Sequence, residues 1–567
     1  MQTNNPRGKT ERKNGSSKVQ NFVVQGSILA AAGIIVRLIG MVYRIPLIDI
    51  IGQEGNGYYT SAYSVYSILL IISSYSLPTA VSKMVAGRLA VGQYRNSSRI
   101  LKAAFLYATI VGGAAAFILW FGAGFFAELL GMPFCRYALR TLAPTVWIMA
   151  YLGVLRGYFQ GHSTMVPTAV SQILEQIINA VVSIGAATWL VQKGLEANLV
   201  YGETEYASAF GAAGGTIGTG VGAGVALAFF LLLLLSYRPV MRRQNRRDRT
   251  RRLDSYGRIF GVMTLTILPI VLSSTLYNIS SVLDNYLFAE GLRNLGQEEQ
   301  MAELWGVFGE YHLLFNIPVA LANSLSSSLI PSLANAVATR QRKQVIQKTR
   351  TAIRFTMILA IPAAVGLTVL AGPISDLLFA SHDNALLIQL MQVGSVAVVF
   401  FSLSTVSNAI LQGSNHMNIP LMNSGIALIP HIISLVVFQQ VMGLGIYSVV
   451  YANILFALIV CILNNLAIRK YLRYRQEYKK TFLIPLLASA VMGAAAWGVC
   501  YGIRAVMPAA FADSRVGLGI AVAGSVMVAV ALYGIILLKA GGFTKAEIRE
   551  MPMGTKLLRV AAKIHLI

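Results

Sequence analysis

Apolar stretches of roughly twenty residues, each about long enough to cross a bilayer as a helix, recur along the whole of this 567-residue chain. Mean hydropathy is +0.63, and 56% of residues are hydrophobic against 12% charged, about half the charge of an ordinary soluble domain. Inside hydrocarbon the backbone must satisfy its own N–H and C=O groups, so these stretches read as membrane helices. The fold class this predicts is an all-α polytopic membrane protein with 14 transmembrane helices, in two six-helix lobes related by a pseudo-two-fold plus two extra C-terminal helices.

Charge sets the expected orientation. The chain carries 46 Lys and Arg against 22 Asp and Glu, a net charge of +24. With the N-terminus in the cytoplasm and fourteen crossings, 38 of the 46 basic residues fall on the cytoplasmic side. Such asymmetry is the positive-inside rule. It explains the basic excess as topology and argues against nucleic acid as a partner. Both termini are expected in the cytoplasm. Residues 1–20 are polar and basic, and no small-residue cleavage pattern follows the first apolar run.

Two internal likenesses organise the chain. Pro78 and Pro331, and Pro167 and Pro420, are both 253 positions apart. Before the second pair stand Gln160-Gly161 and Gln412-Gly413, each followed by a Met after three intervening residues. Two parallel repeats follow from this, and repeats of this kind place substrate between lobes near the bilayer midplane. The expected parts are a cytoplasmic tail (1–20), an N-lobe of six spans (21–237), a basic cytoplasmic linker with nine arginines (238–258), a C-lobe of six (259–468), spans 13 and 14 with their preceding basic loop (469–538), and a basic amphipathic tail (539–567) on the inner leaflet.

Polarity inside the membrane concentrates in spans 1, 2, 7 and 8. In span 1, Gly26, Ala30, Gly33, Arg37, Gly40 and Arg44 share one helical face. Two arginines on a small-residue stripe are costly in hydrocarbon unless they face a cavity or an anion. Arg37 and Arg44 are therefore the leading candidates for contact with a negatively charged substrate, against a structural ion pair for Arg37 and snorkelling for Arg44. Span 2 adds Tyr63 among several Tyr and Ser. Span 7 adds Asn278, Ser281 and Asp284 in a broad polar face, which also includes Ser273 and Tyr277. Span 8 adds Glu310 and Asn316, with Ser327 further along. A hydrated cavity lined by these residues explains the pattern, and interhelical packing is the bland alternative. Glu175 in span 5, Asp284 and Glu310 are the coupling-ion candidates, with a structural role equally open for Glu175.

Other signals point away from enzymes and cofactors. Gly211–Gly224 is glycine-rich but runs straight into a membrane span, so it reads as close helix packing. There is no nucleotide-binding P-loop. Neither the six histidines nor Cys135, Cys461 and Cys500 form a metal-ligand or disulfide framework.

Several segments resemble the polysaccharide-biosynthesis branch of the MOP flippase superfamily: Arg37-Leu38-Ile39-Gly40, Tyr43-Arg44-Ile45-Pro46-Leu47, Glu54-Gly55-Asn56-Gly57, Arg156-Gly157-Tyr158-Phe159-Gln160-Gly161, and Pro167 to Gln176. The likeness is to proteins of the SpoVB and YtgP type, related to the MurJ lipid II flippases. It implies fourteen spans, two lobes, a central cavity, and a polyprenyl-diphosphate-linked sugar moved from inner to outer leaflet, with lipid II for peptidoglycan as the leading substrate. Arg37 matches the first arginine of the MurJ pattern, where the next pair is Arg-Asp and this chain has Tyr43-Arg44. No arginine lies within span 2 or span 8.

The resemblance implies a transporter rather than an enzyme, with no cofactor and with coupling to membrane potential, H⁺ or Na⁺ left open. Its implied partners are a lipid-linked sugar substrate, membrane lipids and cell-wall synthesis enzymes. A functional monomer fits two lobes in one chain, and vegetative growth and sporulation are both open settings. The alternatives are a cation-coupled multidrug exporter of the MATE type and a non-transporting scaffold of cell-wall or spore-coat synthesis.

Overall fold

The structure is a computed structural model that describes residues 7–250, 252–512 and 514–541. Helices in chain order are α1 (Arg7–Leu70), α2 (Leu77–Ala90), α3 (Tyr94–Phe121), α4 (Ala123–Leu129), α5 (Arg136–Gly161), α6 (Val166–Tyr201), α7 (Tyr206–Arg247), α8 (Tyr256–Asn294), α9 (Met301–Ala338), α10 (Arg342–Val369), α11 (Ala371–Leu378), α12 (Ala385–Gly394), α13 (Val396–Gly413), α14 (Asn418–Val436), α15 (Tyr447–Leu472), α16 (Ile484–Val506), α17 (Ala509–Ala512) and α18 (Arg515–Lys539). No strand occurs among the described residues. Nearly all of the expected amphipathic tail lies outside the described residues.

Ten described helical segments are long and apolar enough to cross a membrane. They are the expected spans 3 to 6 and 9 to 14. Expected spans 1, 2, 7 and 8 fall in α1, the turn after it with α2, α8 and α9; α1 has 64 residues, α8 39 and α9 38. Large apolar side chains remain exposed, including Phe121 (70%), Leu265 (73%) and Val441 (78%). An exterior of that kind would aggregate in water and suits lipid. The chain is a multi-pass membrane protein.

The chain forms two compact units, Met1–Val282 and Leu283–Ile567. The boundary falls inside α8 rather than at the basic linker 238–258. The physical reason is that Ile259, Met263 and Ile267 of α8 belong to the core of the first unit, with Leu77, Val81, Ile100, Leu155 and Phe230. The linker itself is pinned there. Arg88 and Asp254 form an ion pair at 2.6 Å. Asp248 Oδ2 accepts from the Arg95 N–H at 2.6 Å, so a carboxylate from the linker satisfies a free donor in the first turn of α3.

Within the first unit, absent side chains set the helix spacing. α7 lies directly on α6: a Cβ at Gly214 would come within 2.6 Å of Ala187 Cα, and one at Gly222 within 2.5 Å of Glu175 O. The glycine-rich segment is thus a packing face, as its sequence context predicts. α5 meets α2 in the same way, since a Cβ at Gly157 would fall 2.8 Å from Pro78 O. Gly52, at φ 75° and ψ 174°, breaks α1 into two limbs. That backbone is open to glycine and strained for other residues.

In the second unit α13 packs on α9, where a Cβ at Gly413 would meet Ile330 O at 3.0 Å. α16 and α18 pack together and against α10 through Ile358, Leu370, Met492, Ala521 and Leu537. The Tyr533 hydroxyl donates to Ile358 O at 2.9 Å.

Candidate functional site

In the first unit the break at Gly52 separates the limb bearing Arg37, Tyr43 and Arg44 from the limb bearing Tyr59 and Tyr63. The Tyr43 and Tyr59 hydroxyls lie 3.3 Å apart. The Arg44 guanidinium carbon sits 5.0 Å from the centre of the Tyr59 ring, a cation–π geometry. Asn179 of α6 donates to the Tyr43 hydroxyl at 3.2 Å, and Ser183 donates to Asn179 Oδ1 at 2.9 Å. Tyr63 shares a short hydrogen bond with Thr219 of α7. The Tyr59 and Tyr63 rings meet tilted at 37°, with centroids 4.6 Å apart. The result is a wall of hydroxyls and aromatic faces around one cation.

Among the described residues Arg44 packs on Tyr59 and makes no ion pair with an acid. Its Nε and Nη2 are buried and make no hydrogen bond among the described residues. Leaving buried guanidinium donors unmatched costs about 1–3 kcal/mol each, so the position favours an incoming anion with acceptor oxygens. Arg37 is exposed on the same limb. Gly40 lies between them in sequence, where a Cβ would sit 3.1 Å from Gln176 Nε2, so an α6 amide reaches the small-residue stripe. Gly26 and Ala30 of that stripe lie outside the residues whose side chains are described. Glu175 pairs with the buried Arg156 at 2.7 Å, and Arg156 Nε also donates to Ser171 at 3.1 Å. This carboxylate thus bridges α5 and α6.

The span-7 and span-8 candidates separate into three settings. Asn278 donates to Ser274 O at 2.8 Å and Ser281 to Asn278 O at 2.9 Å, both within α8, and Ser281 is exposed. Asp284 is buried in the second unit, with Oδ1 2.5 Å from His431 Nε2 and Oδ2 accepting from Asn453 at 3.0 Å. Glu310 is fully buried, with His382 Nδ1 3.7 Å from its Oε1. Asn316 donates to His312 O at 2.8 Å on its own helix. Ser273, Tyr277 and Ser327 lie outside the residues whose side chains are described.

The structure thus joins Arg44 and Tyr63 in one cluster and places Asp284 in another. Sequence reasoning missed His431, Asn453, Asn179, Gln176 and His382. His431 carried a usable signal: an ionisable residue inside an apolar span is a site candidate in its own right. Searching for paired-ligand spacing passed over it, because its partner lies on a different helix. Among the described residues no group of three or more His, Cys, Asp or Glu could hold a metal ion.

Residues 23–335 match the family model described as polysaccharide biosynthesis protein. The chain is 27% identical to the lipid II flippase MurJ of Bacillus subtilis (strain 168) over 484 residues, 82% of this chain and 86% of that one. It is 24% identical to the stage V sporulation protein B of the same organism over 548 residues, 95% of this chain and 99% of that one. Its fold matches a structure of the lipid II flippase MurJ in an inward closed conformation, with a TM-score of 0.62 at 14% identity over 90% of this chain and 98% of that one. It also matches an inward-facing multidrug resistance MATE family transporter of the MOP superfamily, with a TM-score of 0.60 at 16% identity over 77% of this chain and 98% of that one.

Proposed function

We propose that this chain, which belongs to the polysaccharide biosynthesis protein family, is a flippase that carries a polyprenyl-diphosphate-linked sugar from the inner to the outer leaflet of a bacterial cytoplasmic membrane. The observation that carries the reading is Arg44: a cation in an apolar helix, over the ring of Tyr59, which in turn meets Tyr43 and Tyr63, with two buried donors unmatched. A pyrophosphate supplies the acceptor oxygens those donors lack, and guanidinium binds such oxygens in a fork. Tyr and Asn side chains beside it suit sugar hydroxyls. Exposed Arg37 would meet the same anion at a different stage of transport, since seven residues of helix set it about 10 Å along the axis.

In this reading the substrate is lipid II for peptidoglycan. The chain is a transporter and not an enzyme, it crosses the membrane fourteen times with both termini in the cytoplasm, and it works by alternating access as a monomer. Asn278, Ser281, Glu310 and Asn316 remain candidate contacts, and Glu175, Asp284 and Glu310 candidate coupling groups. A second reading, a cation-coupled exporter of the MATE type, is favoured by the buried Asp284, a residue type that binds cations.

The deciding experiment is a reconstituted flipping assay with fluorescent lipid-linked sugars beside a panel of organic cations. The flippase reading predicts movement of the pyrophosphate lipid. It also predicts loss of that movement in Arg37→Ala with the protein still inserted, and partial retention in Arg37→Lys. Export of cations with no movement of any pyrophosphate lipid would select the second reading.

A further inference from the structure

The Asp284–His431 pair has a proton count that its surroundings dictate. His431 Nδ1 lies 3.0 Å from the carbonyl oxygen of Ala452, which can only accept. Its Nε2 lies 2.5 Å from Asp284 Oδ1. A neutral imidazole donates one hydrogen bond, and a carboxylate donates none. With the ring's single proton on Nδ1, the Nε2 lone pair would face a carboxylate lone pair at 2.5 Å, which is repulsive. With it on Nε2, the Nδ1 lone pair would face the carbonyl. Both contacts become favourable when one further proton lies between Nε2 and Oδ1, whichever atom holds it.

Among the described residues, the partners of the pair supply no other proton. His431 is fully buried and Asp284 is 4% exposed. α15 presents the Asn453 amide, the Ala452 carbonyl and the Phe456 ring, none of which titrates. The facing acid is Asp284 from α8, and His431 is the titratable residue of α14. The imidazole also fills the space between carboxylate and carbonyl that a bare cation would need.

We propose that Asp284 and His431 together form a binding site for a single proton, taken up from water, and that losing it releases α8 from α14. Deprotonation leaves Asn453 donating to Asp284 Oδ2 and Nδ1–H donating to Ala452, so the contact that breaks is the one between α8 and α14. The 2.5 Å and 3.0 Å separations fit the loaded state. Resting on the transport reading above, this site is the seat of the coupling ion, and that ion is H⁺.

The test is ¹⁵N-histidine NMR of the full chain in lipid, without substrate, across about pH 5 to 9, with His431→Gln to assign the signal. The expected wild-type spectrum at neutral pH has Nδ1 protonated and Nε2 either protonated or sharing a proton, changing in one step as pH rises. In Asp284→Asn the ring should be neutral, with an Nδ1 proton only, at neutral pH. A wild-type ring whose Nε2 is an unshared lone pair at neutral pH overturns the proposal, and so does a titration unaltered by Asp284→Asn. If Asp284→Asn does not fold, the wild-type spectrum still decides. In proteoliposomes holding a fluorescent polyprenyl-diphosphate disaccharide, a pH gradient should speed flipping several-fold in wild type and not in His431→Gln. Equal acceleration in both overturns the coupling role. A wild type that never flips this probe refutes the substrate reading instead, and the NMR spectra alone then decide whether the pair binds a proton.

Discussion

Replacing Arg44 by methionine should make the empty protein more stable and the transporter worse. The buried Nε and Nη2 lack partners, and each such orphan costs about 1–3 kcal/mol. Methionine removes both while keeping much of the length of the side chain. Against this stands the lost contact with the Tyr59 ring at 5.0 Å, worth about 0.5–2 kcal/mol. The two orphans together cost about 2–6 kcal/mol, so the net gain is about 0–5 kcal/mol. A transition followed by tryptophan fluorescence or by loss of monodisperse protein in detergent would read it as a higher Tm. Transport should move the opposite way. A charge-assisted hydrogen bond is worth about 1.5–3 kcal/mol, so losing one lowers apparent affinity for a pyrophosphate lipid by about 10- to 150-fold. Arg44→Lys should recover part of the transport and none of the stability. An Arg44→Met protein that melts lower than wild type and flips the lipid at the wild-type rate would refute the assignment of Arg44 as an anion site awaiting its ligand.

Three further outcomes follow from the geometry. Gly214→Ala places a Cβ 2.6 Å from Ala187 backbone and should destabilise by about 1–3 kcal/mol; Gly224→Ala, with nothing within 4 Å, should be neutral or stabilising by up to about 1 kcal/mol; equal Tm values for the two would mean α6 and α7 are not in backbone contact. Burial pushes the Asp248 carboxyl up, but hydrogen bonds from Thr250 and from the Arg95 N–H outweigh it and hold it below the ordinary carboxylate range. Its contribution is therefore present above that range and is lost as pH falls through the lowered value, below about pH 4. Wild-type Tm should fall more steeply there than that of Asp248→Ala, and parallel curves would remove Asp248 as an anchor of the linker. Single cysteines at Arg246 and Arg475 should react with an impermeant thiol reagent only from the cytoplasm, and one at Glu298 only from outside. The native Cys135, Cys461 and Cys500 are buried and give a low background. Outside labelling at Arg246 would reverse the assigned orientation.

The helical class was legible because it rests on a one-dimensional quantity, the length of uninterrupted apolar sequence. The ten apolar crossings repeat what the runs of residues already implied. Glycine packing was legible for a similar reason: a stripe of small residues leading into a span has little use but close approach, and Gly214, Gly218 and Gly222 lie against α6. The basic linker was legible as a segment but not as a boundary. Its charge says that it meets water, whereas the extent of the first unit depends on where Met263 and Ile267 are buried.

Which polar residues act together belonged to the tertiary structure. From the sequence, Arg37 and Arg44 form an equivalent pair on one stripe, and Asp284 sits with Asn278 and Ser281. In three dimensions Arg44 is enclosed by Tyr43 and by Tyr59, which returns after the break at Gly52, while Arg37 is exposed. Asp284 turns from its helical neighbours to His431, 147 positions away, and to Asn453, 169 away. Helical periodicity reports which face a side chain shares, and it extends only along one helix. A site assembled from α1, α6 and α7, or from α8, α14 and α15, depends on which helices lie side by side. That is decided by steric fit between whole faces, where a few missing Cβ atoms let one backbone reach another.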